Sequence, residues 1–254
     1  MADIAHAPGE KSMESRINWT AELAELHKQD HCMDQVARSL CWRTLRRWVP
    51  GTPARMMDIG AGHGRMTKCL RQKWPASTVI AVDAIWHDGI DLCEDATHLS
   101  CAAETADVIV SLNMLEHIDK HEDAVREFYR ILKHGGYAYI EVPAMPSLYD
   151  AYDRALMHAR RYSGPEMITL LQRCNFQVVW RSYWGFAVYP LFWLSKRLFG
   201  GVRAGEGDVK NTVARFKQTR HSFLLKIMLW VDMCLLRAAT LPIGIRYVVL
   251  VRKA

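Results

Sequence analysis

Short apolar runs recur along the central part of the chain, and several of them end at an acidic residue or at glycine. Runs that are apolar throughout suit strands buried on both faces of a parallel sheet. The pattern predicts strands at residues 55–57, 78–83, 91–96, 106–111, 137–143, 177–183 and 246–252. With the helices predicted between them, these strands indicate an α/β fold.

Amphipathic runs predict the helices, because apolar side chains recur at helical spacing. We predict two helices within residues 19–49, the second at 33–48, and further helices at 65–73, 122–133, 165–174, 183–194 and 223–239. Gly135 and Gly136 are predicted to end the helix at 122–133. In the helix at 223–239, one broad apolar face is formed by Phe223, Ile227, Trp230, Val231, Cys234, Leu235 and Ala238.

The length and the cysteines indicate the class of protein. A chain of 254 residues is long enough for one large domain or for a domain with an added subdomain. Seven irregularly spaced cysteines and no secretory signal predict reduced thiols in a cytoplasmic protein. No membrane span is predicted, because charges interrupt residues 221–245 and the apolar run at 183–194 is too short.

The charge is distributed unevenly. From Arg181 to the end, thirteen Lys and Arg stand against three acids, whereas the whole chain has a net charge of +6. Residues 1–180 are therefore acidic overall. A basic end suits an acidic substrate, an anionic membrane surface or a nucleic acid, although it also suits a solvated basic face with no partner.

Three glycines follow the first predicted strand at alternate positions, and a helix follows them. The pattern is D-x-G-x-G-x-G, from Asp58 through Gly60 and Gly62 to Gly64. It differs from the dinucleotide fingerprint G-x-G-x-x-G, because Arg65 stands where the third glycine of that fingerprint would be. Asp58 suits a ligand with a positive ammonium group. A turn without a ligand, or a loop for another nucleotide, would also fit this stretch alone.

With these residues the chain resembles the class I S-adenosylmethionine-dependent methyltransferases. The resemblance implies a Rossmann-like seven-stranded sheet, mostly parallel with an antiparallel last strand, and S-adenosylmethionine as the cofactor. Asp83, nineteen residues after Gly64, ends the second strand, where an acid can accept both ribose hydroxyls. The cofactor-binding residues predicted from the resemblance are Asp58, Gly60, Gly62, Gly64, Asp83, Ala84, Asp95, Ala96, Asn113 and Leu115, with Asp95 at the adenine and Asn113 and Leu115 near the methyl group.

The candidate proton acceptors are His117, after the fourth strand, and His158, in the segment that shapes the acceptor pocket in this family. Arg160 and Arg161 either clamp a carboxylate or phosphate or are surface charges. Some relatives bind a divalent ion through E-x-x-E-H at the position of Asn113–His117. Here Asn113 replaces the first Glu and leaves Glu116 and His117, so we predict no metal.

The predicted organisation has four parts: N-terminal tail and helices at 1–53, the cofactor-binding core at 54–183, a helical insertion or lid at 184–245, and the final strand at 246–254. We expect an O-methyltransferase for a small-molecule or lipid-linked acceptor, with N-methylation as an open alternative and with peripheral contact to anionic membrane. The alternatives are an RNA methyltransferase, disfavoured because no RNA-binding module is visible, and a non-catalytic cofactor-binding protein.

Overall fold

A seven-stranded sheet forms the centre of the computed structural model, which describes residues 30–150, 153–154, 156–199 and 222–254. In space the strands follow the order β3-β2-β1-β4-β5-β7-β6. Their bounds are β1 Arg55–Ile59, β2 Thr78–Asp83, β3 Leu92–Cys93, β4 Ala106–Leu112, β5 Leu132–Pro143, β6 Phe176–Trp184 and β7 Arg246–Lys253.

The strand directions confirm the predicted fold class. β1 pairs in parallel with β2 on one side and with β4 on the other, and β4 pairs in parallel with β5. β7 lies between β5 and β6 and is antiparallel to both. The parallel strands β1, β2, β4 and β5 therefore all end at the same edge of the sheet.

Helices cover both faces of this sheet. Their bounds are α1 Cys32–Trp48, α2 Arg65–Lys73, α3 His121–Ile131, α4 Gly164–Arg173, α5 Tyr189–Phe199 and α6 Phe223–Ala238. Alternate residues of β1 serve the two faces: Met57 packs in the core with α3 and α4, and Met56 packs in the core with α1, α2 and α6. The fold therefore has three layers, with the sheet in the middle.

Several predicted boundaries are wrong, and glycines explain two of them. Gly135 and Gly136 lie inside β5 rather than at a helix end, where the β4–β5 register shifts and Gly135 has a φ of 78°. The predicted helix at 183–194 begins as strand β6, and α5 starts only at Tyr189. Between them Gly185 has a φ of 75°, and a Cβ there would lie 2.3 Å from Ile245 Cγ1.

The third strand is shorter than predicted because acidic side chains at both ends redirect the chain. The Asp91 carboxylate accepts a hydrogen bond from the Ala81 amide at 2.7 Å. Asp95 accepts hydrogen bonds from the amide and the hydroxyl of Thr97, which forms a turn. Only Leu92 and Cys93 therefore pair with β2.

The apolar face predicted for α6 points outward. Phe223 and Trp230 are 77% and 67% exposed, whereas the buried residues of the helix are Leu229 and Asp232. Among the helices of the described ranges, none is long and apolar enough to cross a membrane. The first helix predicted within 19–49 and the charged stretch at 200–208 lie outside the described residues.

We expect Phe128→Ala to destabilise the fold by about 3–5 kcal/mol, because the ring is fully buried between α3 and the sheet. The measurement is the free energy of unfolding in urea. Arg126→Ala is the matched control on the exposed side of α3, where the side chain is 56% exposed, and its effect should stay within about 0.5 kcal/mol. Similar losses for the two variants would contradict the assigned helix orientation.

Candidate functional site

The glycine loop after β1 is bound to the end of β2. The Gly60 and Ala61 amides both donate to the Val82 carbonyl, at 2.9 and 3.0 Å. The Gly62 amide donates to Asp83 Oδ2 at 2.7 Å. Gly60, Gly62 and Gly64 all have positive φ, a conformation that glycine adopts without strain.

Gly60 also lets the end of β4 approach the loop. A Cβ on Gly60 would lie 2.4 Å from Met114 Cγ, so a larger residue would displace Met114. Gly64 follows as the N-cap of α2, and the Asp58 carboxylate accepts a hydrogen bond from the Thr67 amide in the first turn of this helix. The N-terminus of α2 therefore lies directly after the glycine loop, as helix N-termini do in phosphate and nucleotide sites.

The two predicted acids of this loop occupy different environments. Asp83 is half-buried beside the loop, and its Oδ1 accepts a hydrogen bond from the Ile85 amide at 2.9 Å. Asp58 is 1% exposed and accepts a hydrogen bond from the Thr67 hydroxyl at 2.6 Å. Burial raises the pKa of Asp58 to about 6. Asp58 therefore links β1 to α2 below the loop, and its contact with an ammonium group stays a prediction.

The residues predicted for adenine and for the methyl group are more dispersed. Asp95 is exposed and lines an open cavity of about 660 Å³ with Glu127 and Arg130, while Ala96 is buried. Leu115 is fully buried in the core, and its place near the methyl group stays a prediction. The roles of Ala84, Ala96 and Asp95 toward a cofactor stay predictions.

Asn113 lies at the end of β4 and contacts the last strand. Its Oδ1 accepts a hydrogen bond from Arg246 Nη1 at 2.5 Å, and its backbone has a φ of 52°. Positive φ is uncommon for residues other than glycine and often marks a functional position. Arg246 starts β7, so the antiparallel strand places a guanidinium beside the ends of β4 and β5.

Two buried carboxyl groups lie close to this guanidinium. Glu116 is fully buried, and no atom of the described residues makes a hydrogen bond to either of its oxygens. Glu141 is 1% exposed and accepts a hydrogen bond from Trp184 Nε1 at 3.1 Å. Burial raises the pKa of Glu116 to about 8 and that of Glu141 to about 7, although the charge of Arg246 opposes both shifts. Burial therefore favours the protonated form of Glu116.

A third buried acid, Asp153, is fully paired. Its Oδ1 bonds His158 Nδ1 at 2.9 Å and Arg161 Nε at 2.8 Å, and its Oδ2 bonds Lys196 Nζ at 2.9 Å. Burial opposes ionisation, but these hydrogen bonds and charges hold the pKa of Asp153 well below its usual range. Arg161 is accordingly a buried partner of Asp153 and not a surface charge.

The orientation of His158 follows from Asp153. Burial lowers the pKa of His158 despite the neighbouring carboxylate, so the ring is neutral at pH 7. An ionised carboxylate only accepts, which assigns the ring proton to Nδ1. The unprotonated Nε2 then faces Glu116 Oε1 at 4.0 Å. His117 is exposed, and its ring centroid lies 4.9 Å from that of His158.

The structure thus brings the two predicted histidines together and adds residues that the sequence did not single out for the site. These are Glu141, Asp153, Lys196 and Arg246. Ligand atoms of Glu116, His117 and His158 lie within 4.8 Å of one another. That set offers one carboxylate and two imidazoles, while the oxygen of Asn113 is engaged by Arg246. It fits Mg²⁺ poorly, because Mg²⁺ prefers oxygen ligands.

Comparisons with known proteins identify the family of this chain. Residues 30–180 match the family model described as "Methyltransferase domain". A trans-aconitate 2-methyltransferase from Mycobacterium ulcerans is 27% identical over 96 residues, 35% of this chain and 36% of that protein. The chain thus spans about a third of the length of that curated relative.

Solved structures share the fold at low identity. Phosphoethanolamine N-methyltransferase 2 of Haemonchus contortus, in complex with S-adenosyl-L-methionine, aligns with a TM-score of 0.54 and 18% identity over 85% of this chain and 52% of that one. The cyclase SpnF aligns with a TM-score of 0.55 and 16% identity over 86% of this chain and 81% of that one. At such identities these alignments support the fold alone.

We expect Asp83→Asn to weaken S-adenosylmethionine binding by about 10- to 100-fold, because a neutral amide replaces a charged hydrogen-bond acceptor beside the loop. Titration calorimetry measures the affinity. Asp123→Asn, an exposed acid in the first turn of α3, is the matched control and should bind normally. Unchanged affinity in Asp83→Asn would refute the ribose role.

We expect Glu116→Gln to change how stability depends on pH. The folded-state pKa of Glu116 lies above its unfolded value, so the wild-type protein loses stability as pH rises from about 4.5 to 8. Relative to wild type, the variant should therefore be more stable at pH 8.5 than at pH 5, by on the order of a few kcal/mol. Urea unfolding at both pH values measures this difference.

The matched control is Glu122→Gln, because arginine partners lower the pKa of the half-buried Glu122. Its stability relative to wild type should not improve as pH rises. A pH-independent difference between Glu116→Gln and wild type would show that Glu116 is ionised in the folded protein.

Proposed function

We propose that this chain, which belongs to the methyltransferase domain family, transfers a methyl group from S-adenosylmethionine to an oxygen atom of a small-molecule acceptor. The family model covers more than half of the chain. It confirms the predicted class of protein and, with it, the predicted cofactor. The remaining steps concern the acceptor and the residues that act on it.

The contact between Gly60 and Met114 is the observation that carries this proposal. It joins the glycine loop to the segment that holds Asn113, Glu116 and His117. A methyl donor held by the loop would therefore lie next to the buried polar cluster, which is formed by Glu116, Glu141, Asp153 and His158. S-adenosylmethionine supplies an electrophilic methyl group, and the protein supplies approach geometry and, for a hydroxyl acceptor, a base.

His158 has the geometry of that base. Its Nε2 carries no proton, and the Asp153 carboxylate fixes the tautomer and the ring orientation from the other side. In the proposed step the acceptor oxygen bonds to the methyl carbon, the carbon–sulfur bond breaks, and the hydroxyl proton passes to His158 Nε2. His117, whose ring contacts that of His158, is the second candidate.

The acceptor class has support from the relatives. The curated matches are named for trans-aconitate, a small organic acid, which favours a small-molecule acceptor here. A carboxylate acceptor is already ionised at neutral pH and needs no base, and Arg246 is then the group that would bind it. The same proposal includes a lipid-linked hydroxyl acceptor, which the protein would reach from the cytoplasm at a membrane surface. Methylation of that hydroxyl does need the base.

Two other functions remain as alternatives. An RNA methyltransferase would use the basic region after Arg181, and a cofactor-binding protein would carry out no methyl transfer. The alignment with a cyclase is a reason to test methyl transfer directly, because a shared fold does not fix the reaction.

The first experiment measures thermal stabilisation by S-adenosylmethionine and by NAD, followed by release of S-adenosylhomocysteine with panels of hydroxyl acceptors, organic acids and RNA. We expect stabilisation by S-adenosylmethionine and turnover with a small acceptor. Stabilisation by NAD alone would refute the proposal, and turnover only with RNA would replace the acceptor class.

With a hydroxyl acceptor, we expect His158→Gln to lower kcat by roughly 10²- to 10⁴-fold while cofactor affinity stays unchanged. His134→Gln, an exposed histidine beside the chain end, is the control and should retain full activity. An unchanged kcat in His158→Gln would exclude this histidine as the base and would favour an already ionised acceptor.

A further inference from the structure

Large apolar side chains lie exposed on two helices of the insertion. On α6, Phe223, Leu224 and Trp230 are 77%, 59% and 67% exposed. On α5, Leu191 and Leu194 are 53% and 45% exposed. Soluble proteins seldom expose large apolar residues in such groups unless the surface binds something.

Contacts on the inner face of α6 hold this helix in place, with its exposed apolar side chains turned outward. The Asp232 carboxylate on the inner face of α6 is fully buried and accepts hydrogen bonds from the amides of Phe186 and Ala187, at 2.7 and 2.9 Å. Buried carboxylates require such partners. This contact joins α6 to the turn before α5, and Leu229 packs into the core beside it. The orientation of α6 is therefore fixed from the inside.

The exposed charged residues on α5 and α6 are all positive. Among the described residues from Arg181 onward, Asp232 is the one acid, and it is buried. Arg197 on α5 and Lys226 and Arg237 on α6 are exposed. The Arg197 guanidinium lies 5.3 Å from the ring centre of Trp193. Exposed apolar and aromatic residues interleaved with cations are typical of helices that lie in a membrane interface.

The same features disfavour other occupants. A second copy of the chain would place like positive charges opposite each other, which weakens such a contact. A nucleic acid would need a stripe of cations rather than aliphatic side chains such as Leu224 and Ile227. An anionic lipid surface satisfies both the cations and the apolar side chains.

We propose that the outward faces of α5 and α6 dock this protein on membranes that contain anionic phospholipids. The surface is tied to the polar cluster, because Lys196 of α5 bonds both Asp150 and Asp153, at 2.8 and 2.9 Å. Docking itself does not depend on the reaction. Delivery of a lipid-linked acceptor to His158 does rest on the proposed function.

Co-sedimentation of the full chain with vesicles tests the docking. We expect binding to phosphatidylcholine vesicles that contain about 30% phosphatidylglycerol, at least about tenfold weaker binding to pure phosphatidylcholine, and weaker binding in high salt. No binding to the anionic vesicles would overturn the proposal. Binding of equal strength to both vesicle types would overturn the role of the cations.

The double variant Ile227→Ser/Trp230→Ser should reduce vesicle binding by about tenfold or more, because both side chains are exposed on α6. Trp86→Ser is the matched control, since Trp86 is 64% exposed on a loop after β2 and should not matter. Circular dichroism and binding of S-adenosylmethionine check that each variant is folded. Vesicle binding that survives the double variant would overturn the proposal.

Light scattering distinguishes docking from self-association. The wild-type chain should stay monomeric without vesicles at the concentrations used for sedimentation. A concentration-dependent dimer that the double variant abolishes would assign the surface to a second copy instead. Because vesicle binding needs no methyl acceptor, its failure and the failure of methyl transfer are separate results.

Discussion

The parallel pairing of β1, β2, β4 and β5 is the constraint on which the site depends. Parallel strands end at one edge of the sheet, so the chain must leave all four strands in the same small region. There the Val82 carbonyl and the Asp83 carboxylate accept hydrogen bonds from three amides of the glycine loop. The loop is thus held by the neighbouring strand, and a ligand meets a preformed turn.

Three buried carboxyl groups, those of Glu116, Glu141 and Asp153, lie near this edge of the sheet and differ in their protonation. Asp153 has three cationic or imidazole partners and is ionised, whereas burial favours the protonated form of Glu116. An unpaired buried charge is costly, so a carboxyl group without partners keeps its proton instead. His158 lies between these two acids, which gives it a fixed proton on one nitrogen and a free acceptor on the other.

Local patterns in the sequence predict the elements well, because each depends on neighbouring residues. The apolar run at 78–83 and the helix at 65–73 coincide with β2 and α2. The predicted end of α3 at Gly135 and Gly136 is wrong, because glycine occurs at irregularities within strands as well as at helix ends. The exposed face of α6 could not be foreseen either, because periodicity identifies an apolar face without saying whether anything covers it.

The polar cluster was only half predictable for a related reason. His117 and Glu116 follow β4 in a recognisable pattern, but Arg246 is distant in sequence and reaches Asn113 only because β7 inserts beside β5.

The contact between Arg246 and Asn113 bears on the predicted absence of a metal. A carboxylate at position 113 would add an anionic oxygen next to Glu116, whereas Asn113 is neutral and its oxygen accepts from a guanidinium. Arg246 already supplies positive charge to Glu116 and Glu141. Mg²⁺ would be repelled by that guanidinium and would gain few oxygen ligands there, so the cation beside these acids is the arginine itself.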